Sequence, residues 1–133
     1  YYFEKLQALH TKFNVDLPVV PYFSEHNAHI FYVMCNSGFQ RDYLIKALKK
    51  SDIQASFHYP PLHLSKYNLQ TNEPRVLPNS LKFAEQLIRI PLYVELTKDE
   101  QDYVMGTLTD ALSNFSASPE YIAFEQASRR KQV

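Results

Sequence analysis

The sequence has little of several things that proteins use for particular chemistries. It contains no tryptophan, a single cysteine and only two glycines, Gly38 and Gly106, in 133 residues. Two isolated glycines leave no room for a glycine-rich phosphate loop of the dinucleotide or the Walker type. A lone Cys35 cannot form an internal disulfide, and a reducing, intracellular setting is the simplest reading. Charge imbalance is missing too. Fourteen basic residues offset fourteen acidic ones, so no global field points to nucleic acid or to an anionic membrane. No apolar run reaches the length of a membrane span, and no signal peptide with a basic start and apolar middle is visible. A cytoplasmic chain without nucleic-acid or membrane partners is the expectation.

Aromatic residues are abundant instead. Ten Tyr and nine Phe, within a hydrophobic fraction of 45%, are enough for the core of one domain. The first residue is Tyr and the opening segment already has helical periodicity, so a chain that begins partway through a longer protein is expected.

Tyr2, Leu6, Leu9 and Phe13 recur at spacings of three and four and predict an amphipathic helix, ended before Pro18. Segment 28–35 is β-branched and aromatic and predicts a strand, apolar on both faces as for a strand covered on each side. A turn at 36–38 leads into a second helix with Phe39, Tyr43, Leu44, Ala47 and Leu48 on its apolar stripe. Ile53 to Tyr59 predicts a second strand, stopped by Pro60-Pro61. Residues 64–79 read as a polar loop long enough for a contact role. A short helix over 80–87 and a strand over 88–94, interrupted at Pro91, come next. Thr97 and Glu100 match a capping box for a helix running to Phe115. Ser118-Pro119 reads as a further helix start, and the basic Arg129-Arg130-Lys131 end is expected to fray. This order predicts an α+β fold, a small sheet of about three strands covered by helices.

The densest set of chemically capable side chains is Phe57-His58-Tyr59-Pro60-Pro61-Leu62-His63. Two histidines and a tyrosine leave a strand end together, and the prolines stiffen the backbone between them. Imidazole and phenol there can donate to sugar hydroxyls, a ketone oxygen or phosphate. The same residues also suit a rigid turn whose rings pack on the core. A metal site on His58 and His63, with His26 or His29, lacks any helical HExxH or zinc-type Cys/His spacing. His29, inside the apolar strand, reads as a satisfied core histidine, and His10 as a surface residue. Cys35 has no local base to activate it and reads as a small buried hydrophobe. Arg41 suits either an anion contact or a solvated helix surface. From the residues alone, the sequence supports an α+β domain with one suspicious rim and no reaction.

The ordered segments carry more. Asn27 to Val33, then Arg41-Asp42 with Leu44 and Leu48, then Ile53 to His63, resemble the DegT/DnrJ/StrS aminotransferases. Leu77-Pro78, Ala84-Glu85, Ile90-Pro91-Leu92-Tyr93 and Leu96 to Glu100 agree with the same pattern, and the opening Tyr2 to Leu9 with Leu17-Pro18 resembles the lead into the family's small domain. The resemblance runs from about residue 1 to residue 115. Within the family, the His-Tyr-x-Pro-Leu-His form is closest to members that make dTDP-4-amino-4,6-dideoxygalactose.

The resemblance implies the C-terminal small domain, residues 1–115, of a fold-type-I pyridoxal-phosphate (PLP) enzyme, normally a homodimer, with 116–133 an extra helix or tail. It implies transfer of an amino group from glutamate to a 4-keto-6-deoxy nucleotide sugar, for cell-surface polysaccharide or lipopolysaccharide. The cofactor and its lysine would sit on a large domain upstream of these residues. No catalytic residue, cofactor or metal is therefore expected in this chain, which alone would be inactive. His58 and Tyr59, and more weakly His63, would contact substrate. Pro60 departs from the family by filling a variable position, which stiffens the turn. A non-catalytic sugar-nucleotide-binding or protein-interaction module stands as the alternative.

Overall fold

Alternation along three short strands decides how this chain buries its apolar side chains. The computed structural model describes residues 1–13, 15–73, 75–119 and 121–123. Its elements are α1 (Tyr2–Phe13), β1 (Phe31–Met34), α2 (Gly38–Lys50), β2 (Ser56–Phe57), α3 (Lys66–Thr71), α4 (Pro78–Gln86), β3 (Leu87–Ile90) and α5 (Lys98–Phe115). The strands form one antiparallel sheet in the order β1-β3-β2. The α+β class with a three-stranded sheet is as the sequence predicts.

Register assigns the two faces. Val33 opposes Ile88, Phe31 opposes Ile90, and Phe57 opposes Ile88, so these side chains share one face. Val33, Ile88 and Ile90 are buried there against Leu6 and Leu9 of α1, Leu44 and Leu48 of α2, and Val104, Leu108 and Leu112 of α5. The other face carries Tyr32, Arg89 and Ser56, aligned across all three strands and each half-buried. The core cluster includes none of these three.

The caps explain where the helices begin. Ser37 Oγ accepts the Gln40 amide at 3.1 Å to open α2. Thr97 and Glu100 form the expected capping box, each satisfying the other's backbone amide, at 3.3 and 2.8 Å. Gly38 lets α2 start close to α4, because an added Cβ would stand 3.3 Å from the Glu85 carbonyl oxygen. Helical backbone resumes at Pro119, where Ser118 Oγ accepts the Tyr121 amide at 3.1 Å. The basic Arg129-Arg130-Lys131 segment lies outside the described residues.

Several expectations need correction. The first strand begins at Phe31, not at residue 28. Ala28 takes φ 52°, the His26 Nδ1 accepts the Ala28 amide at 2.9 Å, and Asn27 Oδ1 accepts the His29 amide at 3.1 Å. Side chains thus capture the amides that a strand would use. His29 is consequently exposed rather than a core histidine. On the second face Met34 and Leu87, paired in register, are buried as well, while Tyr32 and Arg89 beside them are half-buried. β2 shrinks to two residues, since the amides of Ile53 and Ala55 close turns onto Leu48 and Ile53. β3 stops at Ile90, before Pro91. The polar loop from 64 is partly ordered: a 3-10 turn, Leu62–Leu64, is followed by α3, which Ser65 caps. α4 starts at Pro78, two residues early, with proline suited to a first helical turn.

Candidate functional site

His58 and Tyr59 leave the end of β2 at the edge of the sheet. Their rings meet edge to face at 5.3 Å, and the Tyr59 ring is 71% exposed. The guanidinium carbon of Arg89, from the neighbouring central strand, stands 5.6 Å from the Tyr59 ring centre. Arg89 Nη2 donates to Ser56 Oγ at 3.1 Å. These contacts tie Ser56, His58, Tyr59 and Arg89 into one rim.

The rim is polar and incompletely bonded. His58 Nδ1 and Arg89 Nε are both buried without a hydrogen-bond partner among the described residues. A buried polar atom left in that condition is unusual enough to mark a strained or functional position. The other such atom is the Tyr2 hydroxyl, whose pKa burial raises to about 12.

His63 sits differently. It is buried at 9% exposure within the 3-10 turn, and its carbonyl accepts Asn68 Nδ2 at 3.1 Å. No ring contact or side-chain hydrogen bond among the described residues joins it to His58 or Tyr59. The structure therefore gathers two of the three sequence candidates and sets the third apart. Arg41, the other cation that the sequence singled out, is already engaged. Its Nη2 lies 2.7 Å from Asp42 Oδ1 and its Nη1 donates to the Ala84 carbonyl at 2.8 Å.

Two members of the rim escaped the sequence reading. Ser56 enters only as part of the Ile53 to His63 segment and Arg89 only within the strand expected over 88–94, yet a signal was present: Arg89 is the one charge in the apolar run Leu87-Ile88-Arg89-Ile90. A charge in the middle of a central strand needs a partner or a purpose.

The remaining chemistry is sparse. Among the described residues no group of three His, Cys, Asp or Glu side chains converges as a metal site would require. Cys35 is 3% exposed, and burial pushes its thiol up to about 12, which leaves it a poor nucleophile. Every described lysine is exposed, and none forms an ion pair with an acidic side chain among those residues. These lysines do not fit the enclosed amine that anchors pyridoxal phosphate. No helix among the described residues is long and apolar enough to cross a membrane.

Comparison with known proteins bears on the fold that carries this rim. The family model described as the DegT/DnrJ/EryC1/StrS aminotransferase family matches residues 1–109. Among solved structures, the aminotransferase TlmJ from Streptoalloteichus hindustanus superposes with a TM-score of 0.75 at 22% identity, over 86% of this chain and 31% of its own. DesV of S. venezuelae, solved with a ketimine intermediate, gives 0.73 at 26% identity, over 84% and 30%. NtdA from Bacillus subtilis, solved with bound cofactor PMP, gives 0.73 at 25% identity, over 84% and 26%. The chain thus spans less than a third of the length of each of these structures. With most of its residues matched by one family model and its sheet and helices matched by these folds, the chain belongs to the DegT/DnrJ/EryC1/StrS aminotransferase family.

Proposed function

We propose that this chain is the small domain of a PLP-dependent sugar aminotransferase, and that it walls the substrate side of a cleft whose cofactor lies on a large domain upstream. The single observation that carries the reading is the family match over residues 1–109. Pyridoxal phosphate supplies the electron sink that lets an amino group pass between donor and keto acceptor. This chain's part is binding and orientation. The Tyr59 hydroxyl and the His58 imidazole can donate to, or accept from, the hydroxyls and ketone of a sugar. The Pro60-Pro61 pair restricts the backbone beside them, so less freedom is lost when substrate binds. His63 has the weaker claim, as a buried support behind the rim.

The finer assignment is glutamate as donor and the 4-keto carbon of a dTDP-linked 6-deoxy sugar as acceptor, giving a 4-amino-4,6-dideoxygalactose nucleotide for cell-surface polysaccharide or lipopolysaccharide. A cytoplasmic homodimer is the form proposed for the intact enzyme. Residues 1–115 make up the small domain, and 116–133 an added tail.

The reading frame upstream of Tyr1 provides the first test. An in-frame PLP-binding domain with its lysine is expected; without one, the non-catalytic binding or interaction module becomes the better description. The whole protein, supplied with PLP and glutamate, should then form 2-oxoglutarate when given dTDP-4-keto-6-deoxyglucose. Tyr59→Phe and His58→Asn should each lower kcat/KM for the sugar about tenfold, the worth of one hydrogen bond. Unchanged kinetics in both variants would remove the rim from the substrate site.

A further inference from the structure

Helices α2 and α5 leave a groove of about 890 Å³ between them. One end of it is apolar and the other charged. At the apolar end Phe39 and Tyr43 of α2 pack against Phe115 of α5, with ring centres 5.9 and 5.3 Å apart. Lys46, Lys49 and Lys50 follow along α2, and none of them meets a carboxylate among the described residues. The Tyr103 hydroxyl donates to the Ser51 carbonyl at 3.2 Å and closes that far end. None of Ser56, His58, Tyr59 and Arg89 lines the groove, so it is separate from the rim.

After α5 the chain turns back toward the apolar end. Helical backbone resumes at Pro119, and the Ser118 carbonyl accepts the Ile122 amide at 3.1 Å. The Tyr121 ring then packs on Phe115, with centres 4.8 Å apart. Ala123 thus lies two residues beyond a ring that shares Phe115 with Phe39 and Tyr43, both residues of the groove wall. Residues 124–133 follow, outside the described residues. The family match ends at residue 109, short of this segment. In the register that Ser118 starts, Phe124, Glu125 and Ser128 fall on the same helical face as Tyr121. That face presents a ring and then a carboxylate, and the groove presents rings and then lysines. Arg129-Arg130-Lys131 carry the same sign as the lysine row, so the match ends at Ser128.

We propose that the chain's own residues 124–128 occupy this groove and strap α2 to α5. Phe124 fills the apolar end against Tyr43 and Ala111, and Glu125 meets the lysine row at Lys46. Docking removes apolar surface of the ring and of the groove wall from water. Tyr121 already ties the near end of the strap, so only a few further residues lose conformational freedom. A separate molecule would also lose its translational and rotational freedom, which favours the tethered segment. The proposal does not depend on the aminotransferase reading.

The test uses the whole 133-residue chain, labelled with ¹³C and ¹⁵N. Nuclear Overhauser contacts from the Phe124 ring to the Ala111 methyl and the Tyr43 ring are expected. Phe124→Ala should speed amide exchange in the last turn of α2 about tenfold, as for one apolar side chain withdrawn from a partly open site. Glu125→Lys should speed it less, about twofold, and the effect should fade as salt is added. Gln126→Ala lies opposite Tyr121 in helical register and should leave the rate unchanged. Absence of the Phe124 contacts, or equal effects of Phe124→Ala and Gln126→Ala, would overturn the strap. In a mixture of labelled and unlabelled chains, the contacts should stay within the labelled ones. Contacts that cross to unlabelled chains would give the groove to a second copy and overturn the assignment to the chain's own tail. The wild-type contacts decide between these outcomes even if a variant fails to fold.

Discussion

The two faces of the one sheet follow opposite chemistry. On the first, Val33, Ile88 and Ile90 interlock with leucines from α1, α2 and α5, and no charged residue enters the cluster. On the second, Tyr32, Arg89 and Ser56 stand half-buried in register beside the buried pair Met34 and Leu87. A buried polar atom without a partner destabilises by about 1–3 kcal/mol. The first face is built to stabilise the chain by itself. The second buries Met34 and Leu87 too, but beside them it carries polar groups, Arg89 above all, whose value to this chain alone is small or negative.

Breaking the first face should have the largest effect. Leu108 is fully buried on α5 at the centre of the cluster. Leu108→Ala should lower unfolding stability by about 2–5 kcal/mol, through lost burial and the cavity left behind. Ser56→Ala, on the second face, removes the bond from Arg89 and should change it by only about 0.5–1.5 kcal/mol. Urea unfolding of the two variants checks the pair. Equal losses would mean that the faces do not differ as described.

How much of this was legible in the sequence depends on the range of the forces involved. Helices were the clearest, because Leu6 with Leu9, Leu44 with Leu48 and Leu108 with Leu112 repeat at helical spacing and local caps such as Thr97–Glu100 mark the starts. Strand ends were read too long. Residues 28–30 are apolar enough for a strand, but the Asn27 and His26 side chains take the backbone amides first. The rim was half legible. His58 and Tyr59 announce themselves beside Pro60-Pro61, within a few residues of each other. Arg89 and Ser56 are 33 positions apart and meet only through strand pairing, which no local pattern encodes.

A smaller effect probes the helix that seals the first face. Thr97 caps α5 through its hydroxyl, and the Glu100 carboxylate accepts the Thr97 amide at 2.8 Å. Thr97→Ala should cost about 1 kcal/mol, the usual worth of such a cap. The backbone and side-chain hydrogen bonds from Thr97 hold the Glu100 pKa below the ordinary glutamate range. A carboxylate with a lowered folded-state pKa stabilises above its unfolded value, and that contribution is lost as pH falls through the lowered one. Stability of the wild type should therefore decline on acidification from the ordinary glutamate range downward. Glu100→Gln should flatten the part of that decline that this group causes. An identical acid profile in both proteins would show that the capping carboxylate is not coupled to folding.

The smallest expected effect is the most informative about the second face. Arg89→Met removes the hydrogen bond to Ser56, worth about 0.5–1.5 kcal/mol, and the contact with Tyr59, worth about 0.5–1 kcal/mol. It also removes a buried Nε–H that has no partner, which relieves about 1–3 kcal/mol. These contributions nearly cancel, so the variant should unfold within about 1 kcal/mol of wild type, with any net change toward greater stability. A guanidinium that stabilised the fold would give the opposite result, a loss above about 2 kcal/mol in the same urea experiment. That loss would make Arg89 a structural residue of the sheet, and both faces would then serve stability alike. A neutral or stabilising change would leave recognition as the role that accounts for a charge in the middle of an apolar strand.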